Sequence, residues 1–80
     1  MAALRPLILI KVNDGVYRVQ GGQNEHVGNL KLIGGQWKFK AVGCDERGRV
    51  IPGGGPLTHM HNTTFAVPDE SLINATLLKP

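Results

Sequence analysis

The segment from Leu30 to Lys40 constrains the fold more than any other, because apolar residues and lysines alternate on both sides of a Gly-Gly pair. Alternation with a period of two residues is the pattern of a half-buried β-strand. Gly-Gly suits the two central positions of a tight hairpin turn. The predicted hairpin places Lys31 opposite Lys38 on one face, and its other face supplies four core residues: Leu30, Leu32, Trp37 and Phe39.

A second hairpin is predicted upstream, where Asp14-Gly15 separates two runs rich in β-branched residues. Asp-Gly favours a two-residue turn of type I′, and this turn would pair Lys11 with Arg18. A three-residue turn ending at Gly15 would instead pair Ile10 with Arg18, and we favour the shorter loop. The core residues predicted from this hairpin are Ile8, Ile10, Val12, Tyr17 and Val19.

The remaining pattern predicts one small domain over residues 1–80, of the α+β class and mainly β. The expected architecture is a four- or five-stranded antiparallel sheet, curled or partly closed, with one C-terminal helix. Strands are predicted over residues 7–12, 16–20, 26–33 and 36–42, with short candidate strands over 49–51 and 63–67.

The chain is predicted to end in a helix over about residues 68–78. Pro68 suits the first helical position, and Asp69 and Glu70 complement the positive end of the helix dipole. Apolar residues then recur at helical spacing on one stripe. Those assigned to the core are Leu72, Ile73 and Leu77.

At the level of architecture, short antiparallel strands followed by a helix resemble SH3-like and Sm-like small barrels. A three-stranded sheet followed by a helix is also similar to integrase arm-binding domains, in which the sheet docks on DNA. The chain carries no diagnostic motif of either group. The resemblance is therefore an analogy of fold and carries no function by itself.

Composition bounds the class of protein. Nine Lys and Arg residues against six Asp and Glu residues give a formal charge of +3, which only weakly favours a polyanionic partner. Cys44 is the only cysteine, so no disulfide can form within the chain. With no secretory signal and no apolar run long enough to span a membrane, we expect a reducing, cytoplasmic location. The small core and the two-sided apolar start of the first strand favour a homodimer.

Like charges occupy opposed positions in both predicted hairpins. Such cross-strand pairs are destabilising relative to neutral pairs, so their repetition favours a function, most simply contact with the phosphates of RNA or DNA. The alternative is an ordinary solvated lysine face that blocks edge-to-edge aggregation. No aromatic residue is predicted on this face to stack on bases. The candidate nucleic-acid-binding residues are Lys11, Arg18, Lys31, Lys38 and Lys40.

The segment that follows Pro52 is the second candidate site, with three consecutive glycines between two prolines. It departs from a phosphate-binding loop because no lysine follows the last glycine and Pro56 removes a backbone donor. We interpret it as a turn or as a loop that docks a protein partner, which would make the chain an interaction adaptor or inhibitor. The candidate protein-binding residues are Gly53, Gly54, Gly55, Leu57, His59, His61 and Asn62.

Neither a catalytic site nor a metal site is predicted. His59 and His61 share one side of an extended segment, and with His26 or Cys44 they would make a zinc site, but the chain lacks a second closely spaced ligand pair. Cys44 lies beside two carboxylates, which disfavour a reactive thiolate. The sequence therefore predicts a non-enzymatic binding module that needs no cofactor.

Overall fold

The computed structural model describes residues 6–78, apart from the side chain of Gln23. An antiparallel sheet is followed by one helix, α1 (Glu70–Leu77), so the predicted architecture, α+β and mainly β, is confirmed. Two short 3-10 turns lie in the connections, at Gly22–Asn24 and Thr58–Met60. The strands are β1 (Ile8–Asn13), β2 (Val16–Gln20), β3 (His26–Ile33), β4 (Gln36–Cys44), β5 (Val50–Pro52) and β6 (Thr64–Phe65).

The sheet is open. Its strands are ordered β1-β2-β3-β4-β5, and β6 pairs with β4 alongside β5. β5 covers the Val42–Cys44 end of β4, and β6 covers the Trp37–Lys38 end. Because β1 is at one edge and β5 and β6 are at the other, the sheet does not close into a barrel. No helix within residues 6–78 is long and apolar enough to cross a membrane.

The core lies on one face of the sheet, beneath α1 and the segment around Leu57. Tyr17 packs edge-on against Trp37 with ring centroids 5.3 Å apart, an arrangement that aromatic quadrupoles favour. Six predicted core residues are confirmed as buried: Val19, Leu30, Trp37, Phe39, Ile73 and Leu77. The buried hydrophobic residues that were not predicted are Leu7, Val27, Ala41, Val42, Leu57 and Phe65.

The predicted register of the first hairpin is wrong by one residue. Ile10 pairs with Arg18 and Lys11 pairs with Tyr17, although Asn13 still pairs with Val16 across the predicted two-residue turn. A bulge between Lys11 and Asn13 takes up the extra residue. Since side chains alternate between the two faces, a slip of one residue exchanges every side chain of the strand.

The side chains of Asn13 and Asn74 hold the turn and the shifted strand in place. Asn13 Oδ1 accepts a bond from the Gly15 N–H at 2.8 Å, which closes the turn over Asp14. At the start of β1, the Asn74 amide bonds both backbone groups of Leu7 and holds its side chain in the core. Leu7 and Leu9 therefore take the core side, and the residues predicted to be buried are exposed: Ile8, Ile10 and Val12.

Two other core assignments are wrong for local reasons. The Leu32 N–H donates a hydrogen bond to the Gly15 carbonyl, so the neighbour of Leu32 on the next strand is a glycine. Leu32 is exposed because Gly15 has no side chain to cover it. The helix begins at Glu70, since Asp69 is the cap residue and its side chain accepts a hydrogen bond from the Leu72 N–H at 3.0 Å. Pro68 therefore precedes the helix, and Leu72 lies outside the stripe of α1 that is buried.

Candidate functional site

The face opposite the core, here called the outer face, consists of alternate residues of β1 to β4. Cross-strand pairing arranges these residues in rows that run across the sheet. Neighbouring strands are about 4.8 Å apart, so successive side chains in a row are close neighbours. The two central rows are Ile10-Arg18-Asn29-Lys40 and Val16-Lys31-Lys38-Thr64.

Four of the five predicted nucleic-acid-binding residues lie together in these rows: Arg18, Lys31, Lys38 and Lys40. The pairing of Lys31 with Lys38 is confirmed. None of the four cations forms an ion pair with a described residue. Strands β1 to β4 contain no Asp or Glu, and all six acidic residues lie in connections or at the start of α1: Asp14, Glu25, Asp45, Glu46, Asp69 and Glu70.

Lys11 does not belong to the outer face, which corrects its predicted opposition to Arg18. Its partner across the strands is Tyr17, on the core side of the sheet, so Lys11 lies at the β1 edge of that side. The Lys11 ammonium is 3.2 Å from a carboxylate oxygen of Asp14, and both side chains are exposed. A pair this exposed stabilises only weakly, so Lys11 remains available to other partners.

Polar side chains border the four cations. His26 Nε2 and Asn29 Oδ1 are 3.1 Å apart, and Lys40 Nζ donates a hydrogen bond to Asn62 Oδ1 at 2.6 Å. The Nε of Arg18 is buried without a hydrogen-bond partner among residues 6–78. Cross-strand pairing places Arg18 and Lys40 on either side of Asn29 in the same row.

The position of His26 could not be read from the sequence. Plain alternation from Gly28 would place His26 on the core side. The structure instead pairs Val19 with Gly28 and Gln20 with His26, which leaves Val27 as an extra, buried residue. This bulge transfers His26 to the outer face. Gly28, next to Val27, is a local sign of a bulge, but alternation does not show which residue it displaces.

A groove of about 420 Å³ opens beside the outer face, where β3 begins and β4 ends. His26 and Val42 line it together with the exposed thiol of Cys44 and the ring of Pro56. His26 belongs to both the groove and the outer face, so the two are continuous.

The glycine-rich loop packs against β4. A Cβ at Gly55, where φ is +87°, would overlap the Val42 carbonyl, and Gly43 faces the same backbone. The Gly53 N–H donates to the Ala41 carbonyl at 2.7 Å. The close approach of two backbones explains why side chains are excluded here.

Other members of the predicted protein-binding loop also contact β4 or the core. His61 Nδ1 accepts a hydrogen bond from the Ala41 N–H at 3.0 Å, in the interval between β5 and β6. Leu57 is buried in the core, and the Asn62 N–H donates to the Phe39 carbonyl at 2.8 Å. His59 is exposed. Within residues 6–78 no three His, Cys, Asp or Glu side chains gather as a metal-ligand set, so His59 and His61 do not converge with His26 or Cys44.

The described strands and helix define an open antiparallel sheet with a helix-covered face and an uncovered face that carries the four cations. Comparison of the chain with protein-family models, curated proteins and solved structures gives no match. Function is therefore inferred from the geometry of the outer face.

Proposed function

We propose that the protein is a non-enzymatic module whose outer face is a basic surface that binds the phosphates of RNA or DNA. The supporting observation is the separation of charge: Arg18, Lys31, Lys38 and Lys40 share one face of strands that contain no acidic residue. Cations grouped in this way displace the counterions of a nucleic-acid backbone when they bind it. No cofactor takes part in this function.

The pairing of Lys31 with Lys38 adds a physical reason. Directly opposed side chains have Cβ atoms about 4.5–5.5 Å apart, and like charges at that distance destabilise the sheet. No carboxylate from β1 to β4 offsets the repulsion. A bound phosphate between the two ammonium groups would offset it, so binding and folding would support each other.

The arrangement of aromatic residues favours contact with the backbone over recognition of sequence. All four aromatic side chains lie on the core side: Tyr17, Trp37, Phe39 and Phe65. Stacking on bases is therefore not available to the outer face. We expect phosphate contacts to supply most of the affinity, with little preference among sequences.

A titration of fluorescently labelled single-stranded RNA, single-stranded DNA and duplex DNA tests the proposal by anisotropy. Four phosphate contacts to a single strand predict a slope of about −3 in a plot of log K against log salt. The affinity should then fall about 50-fold between about 50 and 200 mM salt. A slope near zero, or no binding at the lower salt, would refute it.

A matched pair of variants separates the outer face from net charge. K31E/K38E reverses two charges on the outer face, whereas R47E/R49E makes the same change in charge in the exposed turn between β4 and β5. The first variant should abolish binding while circular dichroism shows the fold intact. The second should retain most of the affinity. Equal losses would assign the binding to net charge rather than to this face.

A protein partner that docks on residues 53–62 is the competing proposal. It is supported by the exposed side chains of Val50 and Ile51 in β5, next to the loop, and by the exposed His59. In that case nucleic acid would not bind at low salt. A reducing, cytoplasmic compartment suits either proposal, since Cys44 is a free thiol.

A further inference from the structure

Within residues 6–78, the outer edge of β1 is covered only at its beginning. The Leu7 N–H donates to Asn74 Oδ1 at 2.7 Å, and Asn74 Nδ2 donates to the Leu7 carbonyl at 2.9 Å. The Leu9 N–H donates to a carboxylate oxygen of Glu70 at 3.3 Å. These are the bonds that a neighbouring strand would make. Side chains of α1 thus substitute for a strand as far as the Leu9 N–H.

No described residue covers the rest of this edge. Backbone groups point to alternate sides along a strand, so those of Lys11 point outward like those of Leu9. Outside the β1–β2 ladder, the Leu9 carbonyl and both backbone groups of Lys11 have no partner among residues 6–78. Three apolar side chains beside this edge are 42–60% exposed: Ile8, Ile10 and Val12. Free backbone groups flanked by exposed apolar side chains are a template for another strand.

We propose that the protein forms a symmetric dimer in which β1 pairs antiparallel with β1 of a second copy and Ile10 faces the partner's Ile10. The proposal concerns assembly alone and does not depend on nucleic-acid binding. The partner at the β1 edge is a second copy of the chain because this edge complements itself in hydrogen bonding, in apolar contact and in charge.

Only registers that oppose outward-facing residues can form hydrogen bonds. Pairing Leu9 with the partner's Leu9 would also require Leu7 to bond the partner, and Asn74 already occupies both backbone groups of Leu7. Pairing Lys11 with the partner's Lys11 would oppose like charges. Pairing Leu9 with the partner's Lys11 avoids both problems, and it places Ile10 on the two-fold axis.

In this register opposite charges meet twice. The partner's Lys11 lies across from Leu9, where Glu70 is already held at the edge by a long hydrogen bond. Glu70 would release the Leu9 N–H to the partner's backbone and pair with the partner's Lys11 ammonium. The exposed pair between Lys11 and Asp14 is too weak to prevent this exchange.

Apolar contact follows from the same register. Ile8 lies opposite the partner's Val12, and Ile10 lies opposite the partner's Ile10, so all three exposed side chains gain β-branched partners. The bulge after Lys11 interrupts the ladder, so the last backbone hydrogen bonds between the two copies are those of Lys11. Antiparallel pairing within one sheet keeps equivalent faces on the same side, so the two outer faces would become continuous.

Sedimentation equilibrium of the full chain without nucleic acid tests the dimer. We expect twice the monomer mass of 8.6 kDa at micromolar concentration. Ile10→Lys should give the monomer mass, because it opposes two lysines on the axis. Ile33→Lys is the matched control: Ile33 is 46% exposed and lies on the outer face, away from β1. A monomeric parent chain, or equal dissociation by both variants, would overturn the proposal.

Disulfide trapping tests the register in a Cys44→Ser background. Non-hydrogen-bonded antiparallel pairs have Cα atoms about 4.5 Å apart, which is within the range of about 4.4–6.8 Å for a disulfide. Ile10→Cys should therefore cross-link to itself on oxidation, whereas Val12→Cys should not, since it faces the partner's Ile8. Preferential cross-linking of Val12→Cys would show that the register is wrong.

Discussion

The side-chain amide of Asn74 bonds both backbone groups of Leu7, so the last helix holds the first strand 67 residues away. A third bond, from Asn74 Nδ2 to the Glu70 carbonyl at 2.9 Å, fixes the amide on the helix. This contact determines which side of β1 faces the core, because it places the Leu7 side chain inward. It also covers the part of the β1 edge that would otherwise be open.

Replacing this amide should destabilise the protein. We expect Asn74→Ala to lower the free energy of unfolding by about 1–3 kcal/mol, since the partly buried backbone groups of Leu7 lose their partners. Ser71→Ala, an exposed substitution in the same helix, should change it by less than about 0.5 kcal/mol. Urea unfolding of both variants checks the difference. Equal midpoints would show that the Leu7 contact contributes nothing to stability.

Truncation of neighbouring residues in the first strand tests the corrected register. Leu7→Ala should cost about 2–5 kcal/mol because Leu7 is fully buried. Ile8→Ala should cost well under half as much, since Ile8 is exposed on the outer face. Thermal and urea denaturation measure both. The reverse ranking would restore the register predicted from the Asp-Gly turn.

Phe39 lies directly over Gly28 on the adjacent strand, and this contact predicts a further effect. A Cβ at Gly28 would overlap the Phe39 ring and lie 2.8 Å from the Lys40 carbonyl. We expect Gly28→Ala to cost about 1–3 kcal/mol through overpacking. The loss should shrink in a Phe39→Leu background, because neighbouring substitutions are not additive.

Gly15→Ala is the control for the Gly28 substitution. Its new Cβ would meet nothing nearer than 3.7 Å, and the backbone at Gly15 does not require a positive φ. Its stability should therefore change little. If Gly15→Ala were as damaging as Gly28→Ala, the contact with Phe39 would not be the cause.

His61 is expected to stabilise β4 through its ring. Removing the acceptor in His61→Ala leaves the buried Ala41 N–H unsatisfied, which should cost about 1–3 kcal/mol and increase hydrogen exchange at that amide. His59→Ala should leave both properties unchanged, since His59 is exposed. Nitrogen NMR should report an unprotonated Nδ1 in His61. A protonated Nδ1 in the folded protein would contradict the bond to Ala41.

Charge reversal across the proposed dimer gives a fifth prediction. Lys11→Glu should weaken dimerisation, because the new carboxylate would lie beside the partner's Glu70. Adding Glu70→Lys should restore part of the lost affinity, and sedimentation measures each variant. If the loss of dimer affinity in the double variant equals the sum of the losses in the two single variants, the two residues do not meet.

The second hairpin was predictable because its turn is decided locally. Gly34 and Gly35 have φ values of +58° and +81°, and the two positive values are what a type I′ turn requires. Polar and apolar residues alternate on both sides, so only one register buries the apolar set. The pairing of Lys31 with Lys38, and with it part of the candidate site, followed from these facts.

The first hairpin was not predictable because both of its registers satisfy the local pattern. Residues 7–10 are all apolar, so either face of β1 could have been buried. The choice depends on the bulge between Lys11 and Asn13 and on Asn74 at the other end of the chain. Gly28 signals a bulge in β3, but it does not specify that His26 moves to the outer face. These features are decided by tertiary contacts rather than by periodicity.

The bond between Leu7 and Asn74 also sets the order in which the protein can be completed during synthesis. The ribosome must add 67 residues after Leu7 before Asn74 exists, which takes roughly 3–13 s at about 5–20 residues per second. Until then β1 has no cap on its outer edge, even if β1 to β4 have already paired. Translation therefore sets a minimum time during which the beginning of that edge, at Leu7, is open to neighbouring chains.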